Sequence, residues 1–372
     1  MNRPMQHYTS GTDLVAAFLD VGQGDATAVI LPGSESAIVV DCPSGQDHIV
    51  LDFLERHRIR HLELVIVSHS DLDHVGGVAD LLTRFTSNYG GSVARLAYLA
   101  DRHVPTDPAK LRMHKRVMRS VLNICEHYGV AYQYPLAGIT LPIGSVTISF
   151  LHPTYFQHDM AVLSDLRNDG SIVLRIEYQG KRLLLGADVR GQGWQWMIAR
   201  REDLKADVFK FPHHGAAYHR GFPLRRMMDL VDPTLVVLSA GSGNGYRHPA
   251  LSTFRMLLRH SNRTGMRFVC TQATYHCQPD VALKAPLARV LLAPSSRGGH
   301  ASPPCLACPC AGTVIVRVSA AGINEGPTRA EHDRVINLFH RPKCREQQLA
   351  YRGHALKRKD VQGRRWTRTK FW

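Results

Sequence analysis

A chain of 372 residues, 44% hydrophobic and 21% charged, has an ordinary globular composition and the length for one large domain or two small ones. No apolar run is long enough to span a bilayer, and residues 1–10 lack the basic-then-apolar pattern of a secretory signal, so a cytoplasmic protein without a membrane span is expected. The formal charge of +15 is uneven. Residues 341–372 hold eleven Lys or Arg against two acids, a field that attracts nucleic acid or an anionic membrane surface, unless the tail only keeps the chain soluble.

Residues 13–19 read as a strand running into Asp20-Val-Gly-Gln-Gly-Asp25. Strands follow at 26–31 and, after Pro32-Gly33, at 37–40, the last ending on Asp41. Residues 50–57 look helical, 62–67 form a continuous apolar run of the kind found in doubly covered strands, and 76–85 read as a helix. The stretch 86–140 is less regular but holds a helix-like segment at 110–127, rich in Lys, Arg and His. Strands resume at 139–150, 171–178, 182–185, 206–211, 235–239, 267–270 and 313–319. Strands that outnumber helices yet alternate with them predict packed sheets with helices outside. Beyond about residue 322 the apolar periodicity fades, so the expected division is a folded domain over 12–322 and a basic tail over 323–372.

At the end of the 62–67 strand, His69-Ser70-Asp71-Leu72-Asp73-His74 places four potential ligands within six residues, followed by Gly76-Gly77. Imidazole and carboxylate suit zinc, manganese and related divalent ions. A solvated loop with a helix-capping Asp is the plainer explanation, but two His and two Asp at the mouth of a buried strand weigh against it.

The run resembles the His-x-His-x-Asp-His motif of the metallo-β-lactamase superfamily, and its Asp71 variant is similar to the hydrolase domain of the ComEC family of DNA-uptake proteins. Further stretches resemble that family in order: Asp20 to Asp25, Val40-Asp41, Asn168-Asp-Gly-Ser171, Leu185-Gly-Ala-Asp188, Asp207 to Gly215 with Lys210 and His213-His214, and Ser239 to Pro249 with Asn244, Tyr246 and His248. The resemblance covers about residues 14–320 and implies an α+β fold, an αββα four-layer sandwich with the metals in a cleft at the sheet edges. It implies one or two divalent ions, zinc or manganese, held by His69, Asp71, Asp73, His74, Asp188, His213, His214 and His248. Asp188 would bridge or complete the pair, and Asp73, Asp188 and His214 would carry the catalysis. Asp25, Asp41, Asn168, Ser171, Lys210, Asn244 and Tyr246 would stand behind the ligands or against the substrate. Adjacency leaves open whether one or both of His213 and His214 face metal.

Two departures bear on the chemistry. Asp71 replaces the second His of the superfamily motif, and Asn168 lies near where a His precedes the strand beginning at Ser171. Exchanging nitrogen for oxygen makes the site harder and manganese or magnesium more competitive with zinc. It also weakens the case for β-lactam or thioester substrates.

Eight cysteines in a reducing compartment argue for buried thiols or metal rather than a disulfide framework. Cys42 and Cys125 stand alone and read as small core residues. Cys270 and Cys277, with Cys305, Cys308 and Cys310, flank a loop rich in Pro, Gly and Ser and suit a structural zinc, a disulfide between the clusters and buried thiols being the alternatives. The resemblance implies phosphodiester hydrolysis, and the basic charge independently suits a polyanion. The expected function is therefore a metal-dependent nuclease, DNA favoured, serving repair or defence against foreign DNA. Hydrolysis of a small ester, lactone or cyclic nucleotide, or nucleic-acid binding through a degenerate site, are the rivals. The tail could also engage protein partners.

Overall fold

The computed structural model describes residues 11–99, 108–164, 166–219, 222–241, 244–272, 274 and 311–326. Strands β1 (Leu14–Phe18), β2 (Thr27–Ile30) and β3 (Ser36–Val40) form an antiparallel meander. β4 (His61–Val67) then joins β3 in parallel after helix α1 (Asp47–Arg56). Beyond β4 lie α2 (Leu72–Val75), α3 (Val78–Thr83), β5 (Ser92–Val93), β6 (Arg95–Tyr98), α4 (Pro108–His127) and β7 (Ala131–Gln133), with β6 and β7 continuing the sheet in parallel.

The second sheet starts with the antiparallel strands β8 (Thr140–Ile143) and β9 (Val146–His152) and helix α5 (Tyr155–Leu163). β10 (Val173–Tyr178) and β11 (Lys181–Leu185) form a hairpin, followed by α6 (Gly191–Ala199), β12 (Val208–Lys210), α7 (Leu224–Val231), β13 (Leu235–Leu238), α8 (Leu251–Thr264) and β14 (Arg267–Cys270). β11 to β14 are mutually parallel. β15 (Val314–Ser319) and β16 (Gly322–Gly326) return to the first sheet beside β1, so pairing continues to Gly326, past the point where the periodicity fades.

Alternation along the strands sorts the apolar side chains into three layers. In β1, Leu14, Ala16 and Phe18 join Ile148, Leu174, Ile176, Leu183 and Val237 between the sheets. Val15 and Ala17 face the other way, against Leu54 of α1, Leu81 of α3 and Val121 of α4. On the far side of the second sheet, Phe209 and Val236 pack against Trp194 of α6, Met227 of α7 and Leu257 of α8. Both faces of each sheet are covered, which is why the strands read as continuous apolar runs. Each such side chain contributes roughly 1.5–3 kcal/mol on burial. The arrangement is the expected αββα sandwich.

Two local differences from the sequence reading have clear causes. The helix expected over 76–85 starts only at Val78 as α3 and passes into a π-helical turn at Arg84–Asn88, with Gly77 before it packed so closely that a Cβ there would lie 2.2 Å from the Pro43 carbonyl oxygen. The irregular stretch 86–140 contains the short strands β5, β6 and β7, none long enough to show alternation.

Candidate metal centre

The C-terminal ends of β3, β4, β11 and β12 converge, and the loops leaving them carry the ionisable side chains. Asp41 ends β3 in a left-handed conformation (φ 62°) that aims its carboxylate across the first sheet. Oδ1 accepts from the Ser68 amide at 2.7 Å, and Oδ2 accepts from Ser68 Oγ at 2.6 Å. Oδ2 also lies 2.8 Å from Nδ1 of the fully buried His74. That bond places the proton on Nδ1 and turns Nε2 outward, 3.3 Å from Asp188 Oδ1.

Asp188 follows β11, and Ala187 before it is left-handed (φ 43°). His213 and His214 follow β12, also both left-handed (φ 50° and 51°). Non-glycine residues in this region carry strain, and their clustering here marks a backbone bent to aim side chains. His69 Nε2 and His213 Nε2 each lie 3.7 Å from Asp188 Oδ2, and Asp71 Oδ2 is 3.6 Å from His69 Nε2. His214 Nε2 lies 3.7 Å from Asp188 Oδ1 and 3.5 Å from Asp73 Oδ2. Asp188 therefore presents Oδ2 to His69 and His213 and Oδ1 to His74 and His214. Both adjacent histidines thus face the Asp188 carboxylate.

The donor set fits a divalent metal. His69 Nε2, His74 Nε2, His214 Nε2 and Asp188 Oδ1 are all buried without a hydrogen-bond partner. Ligating atoms of His69, His74 and Asp188 lie within 4.8 Å of one another, as do those of Asp73, His74 and His214. Leaving such atoms unsatisfied costs about 1–3 kcal/mol each, a penalty a shared cation removes. Only Asp71 and Asp73 among these side chains are more than a third exposed or nearly so, at 38% and 34%, so the centre opens on their side.

Charge state follows the same geometry. Burial pushes the Asp188 carboxyl up, but His74, His214 and His69 outweigh it and hold it well below the usual carboxylate range. Burial opposes protonation of His74, yet Asp188 and Asp41 raise it well above the ordinary imidazole value. His214 is raised by Asp188 and Asp25 against the same penalty. His213, with burial dominant, is lowered. His248 falls to about 4 through burial and the nearby His213 and His214.

The supporting residues play distinct parts. Asp25 and Lys210 form a buried ion pair, with Nζ 2.6 and 2.7 Å from the two carboxylate oxygens, and Asp25 Oδ1 lies 3.6 Å from His214 Nδ1. His214 Nδ1 is also 3.1 Å from the Ser239 carbonyl oxygen. Gly24 brings this loop close, since a Cβ there would lie 2.5 Å from the Asp73 carbonyl oxygen, and the Asp25 amide donates to that oxygen at 3.0 Å. Asn168 accepts the Ser171 amide through its carbonyl at 3.2 Å, and the Ser171 side chain is fully buried. Asn244 braces its own loop, donating through Nδ2 to the carbonyls of Gly241 and His248 and accepting from the His248 amide. Tyr246 stacks on His248 at 5.7 Å between centroids and is 75% exposed. The ring of His248 lies 5.6 Å from that of His213 and 6.3 Å from that of His214.

Ser68 and the Ser239 carbonyl went unrecognised in the sequence, since a serine or a backbone oxygen carries no signal of its own; Ser68 is marked only by lying between Val67 and His69. A small pocket beside His69, lined in part by Ser70, His158, Arg167 and Gly170, was also unforeseen. Cys42 and Cys125 are buried thiols, as read from the sequence. Cys270 is buried at the end of β14, whereas Cys277, Cys305, Cys308, Cys310 and residues 327–372 of the tail lie outside the described residues.

Residues 19–239 match the metallo-beta-lactamase superfamily, and the chain belongs to it. It has that superfamily's mixed α/β fold of two packed sheets. Among characterised sequences it resembles ComE operon protein 3 of Bacillus subtilis (strain 168), with 26% identity over 262 residues, covering 66% of this chain and 30% of that protein. It also resembles Recombination protein 2 of Haemophilus influenzae, with 24% identity over 251 residues, covering 66% of this chain and 26% of that protein. The chain thus matches less than a third of the length of either relative. Solved structures with a similar course include the metallo-beta-lactamase fold protein YhfI from Bacillus subtilis (14% identity, TM-score 0.43, 70% of this chain and 96% of that one). CmlA, a diiron beta-hydroxylase from Streptomyces venezuelae, is another (13%, 0.42, 70% and 53%). No helix among the described residues is long and apolar enough to cross a membrane.

Proposed function

We infer that the chain is a metal-dependent phosphodiesterase acting on nucleic acid, with DNA the favoured polymer. The observation that carries this reading is the two-sided Asp188 carboxylate, with His69 and His213 toward one oxygen and His74 and His214 toward the other, Asp71 lying against His69 and Asp73 against His214. The likeness to ComE operon protein 3 and the +15 charge favour a polyanionic substrate. Divalent ions held there would supply Lewis acidity, lowering the pKa of a water and offsetting the negative charge of a phosphodiester.

The protein's own part is orientation and charge. Asp41 and the Ser239 carbonyl hold the Nδ1 protons of His74 and His214, which directs each Nε2 at the centre. Asp188 stays ionised under the surrounding imidazoles. Asp71 and Asp73, at the open side, lie where substrate and water enter. Arg167, in the pocket beside His69, supplies a cation for a phosphate. Three carboxylates in the ligand set make manganese the preferred activator over zinc.

The test is hydrolysis of plasmid, single-stranded DNA, RNA and a chromogenic phosphodiester, with manganese or zinc added to metal-free protein, alongside Asp73→Ala and His74→Ala. Turnover of nucleic acid that both substitutions abolish is expected. Undiminished turnover in both variants, or hydrolysis confined to small esters or lactones, would sink the reading.

A further inference from the structure

Helix α4 carries a concentration of charge that the metal centre does not use. Its buried residues Met118, Val121 and Cys125 pack into the layer beneath the first sheet. Arg112, Lys115, Arg116 and Arg119 are all exposed. At about 100° per residue these four fall within an arc of about 100°, opposite the buried side. None forms an ion pair with a carboxylate among the described residues, and the only acid in the helix is Glu126, near its other end. Like charges at i,i+3 and i,i+4 disfavour a helix, and a bound polyanion removes that repulsion.

Topology places the ridge at the metal end of the molecule. β6 runs parallel to β4 with Tyr98 opposite Val67, so its C-terminal end is level with His69, and Leu99 lines the pocket beside His69. α4 begins at Pro108 and returns to β7, whose Ala131 pairs with Arg95 at the opposite end of β6. The N-terminal half of α4 thus lies toward the metal centre, and α4 packs against α2 in the metal loop.

We propose that Arg112, Lys115, Arg116 and Arg119 form a docking ridge for the phosphate backbone of nucleic acid, delivering the strand to the cleft. The proposal rests on the nucleic-acid reading above but concerns binding, which is measurable without turnover. The measurement is fluorescence anisotropy of the full chain with labelled phosphorothioate oligonucleotides, single-stranded and duplex, across about 50–200 mM salt. Replacing all four residues by Gln keeps good helix formers on an exposed face. On duplex this variant should flatten the plot of log affinity against log salt by about 3–4 units, at about 0.9 per lost contact, and on single strands by somewhat less. Arg112→Lys, Arg116→Lys and Arg119→Lys together should keep the original slope. A chain that binds through the ridge yet cleaves nothing leaves the proposal standing and overturns the hydrolase reading. A chain that cleaves DNA while the Gln variant keeps its affinity and slope overturns the ridge alone. Loss of binding to phosphatidylserine vesicles with oligonucleotide binding unchanged assigns the ridge to a membrane surface and also overturns it.

Discussion

The loop after β4 and the turn after β12 both deliver histidines to Asp188, yet they are built differently. The first spaces His69, Asp71, Asp73 and His74 along a short segment whose Asp71 is ordinary extended backbone (φ −71°, ψ 143°). Its aim comes from outside, through Asp41 and Ser68. The second holds two adjacent histidines, which in regular backbone would diverge; left-handed φ at both turns them toward the same carboxylate. One loop is aimed by hydrogen bonds, the other by backbone strain, and the two should fail in different ways.

The largest effect should follow from removing what both share. Asp188→Asn takes away the carboxylate charge between the two histidine sets, so metal content and turnover should both fall to background. Asp73→Ala and His213→Ala should each deplete the metal mainly on one side. Full metal content in Asp188→Asn, measured by plasma emission, would falsify the two-sided arrangement.

Next comes the hydrogen-bonded loop. Asp41→Asn keeps the size and tolerates left-handed backbone, but its amide offers one oxygen where two serve the Ser68 amide, Ser68 Oγ and His74 Nδ1. Metal affinity should drop about 10–100-fold with little change in thermal stability beyond that of lost metal. An affinity equal to wild type in a competition titration would show that His74 needs no such partner.

The strained turn should instead fail through folding. Gly215 has φ +78°, and a Cβ there would meet Pro249 Cβ at 2.6 Å. Gly215→Ala should cost about 1–3 kcal/mol of stability, read from denaturant unfolding of the metal-free protein. No loss would mean that the turn is looser than its geometry.

The same contrast explains what could be read from the sequence. Four potential ligands within six residues announce the first loop, and fully covered strands announce the sandwich through their apolar runs. For His213 and His214 the residues were evident but not their directions, because left-handed backbone at non-glycine positions leaves no compositional trace. Asn244 reads from the sequence as standing behind the ligands or against the substrate, and the three hydrogen bonds it makes within its own loop cannot be inferred from spacing. Strands of two to four residues such as β5 to β7 are too short for periodicity and are fixed by pairing with β4 and one another.

The smallest expected effect uses a carboxylate that belongs to neither loop. Asp20 ends the segment after β1, largely enclosed, and accepts from Gln272 Nε2 at 2.8 Å. Burial raises it from 3.8 to about 6, the Gln272 bond only partly opposing. A carboxyl raised in the folded state binds more protons there than in the unfolded chain between those two values, so stability falls as pH rises through the window. The favourable contribution is complete below about pH 4 and gone above about pH 6, where the fold must hold a buried anion. Asp20→Asn retains an oxygen for Gln272 and removes the charge. It should therefore raise stability by about 1–3 kcal/mol at pH 8 and leave it nearly unchanged at pH 4. Because Asp20 takes no part in aiming either histidine loop, metal content should stay at the wild-type level. If the gain is equal at both pH values, charge burial is not its source. If metal is lost as well, the segment carrying Asp20 helps to set the centre through Asp25, and the contrast between the two loops extends to a third.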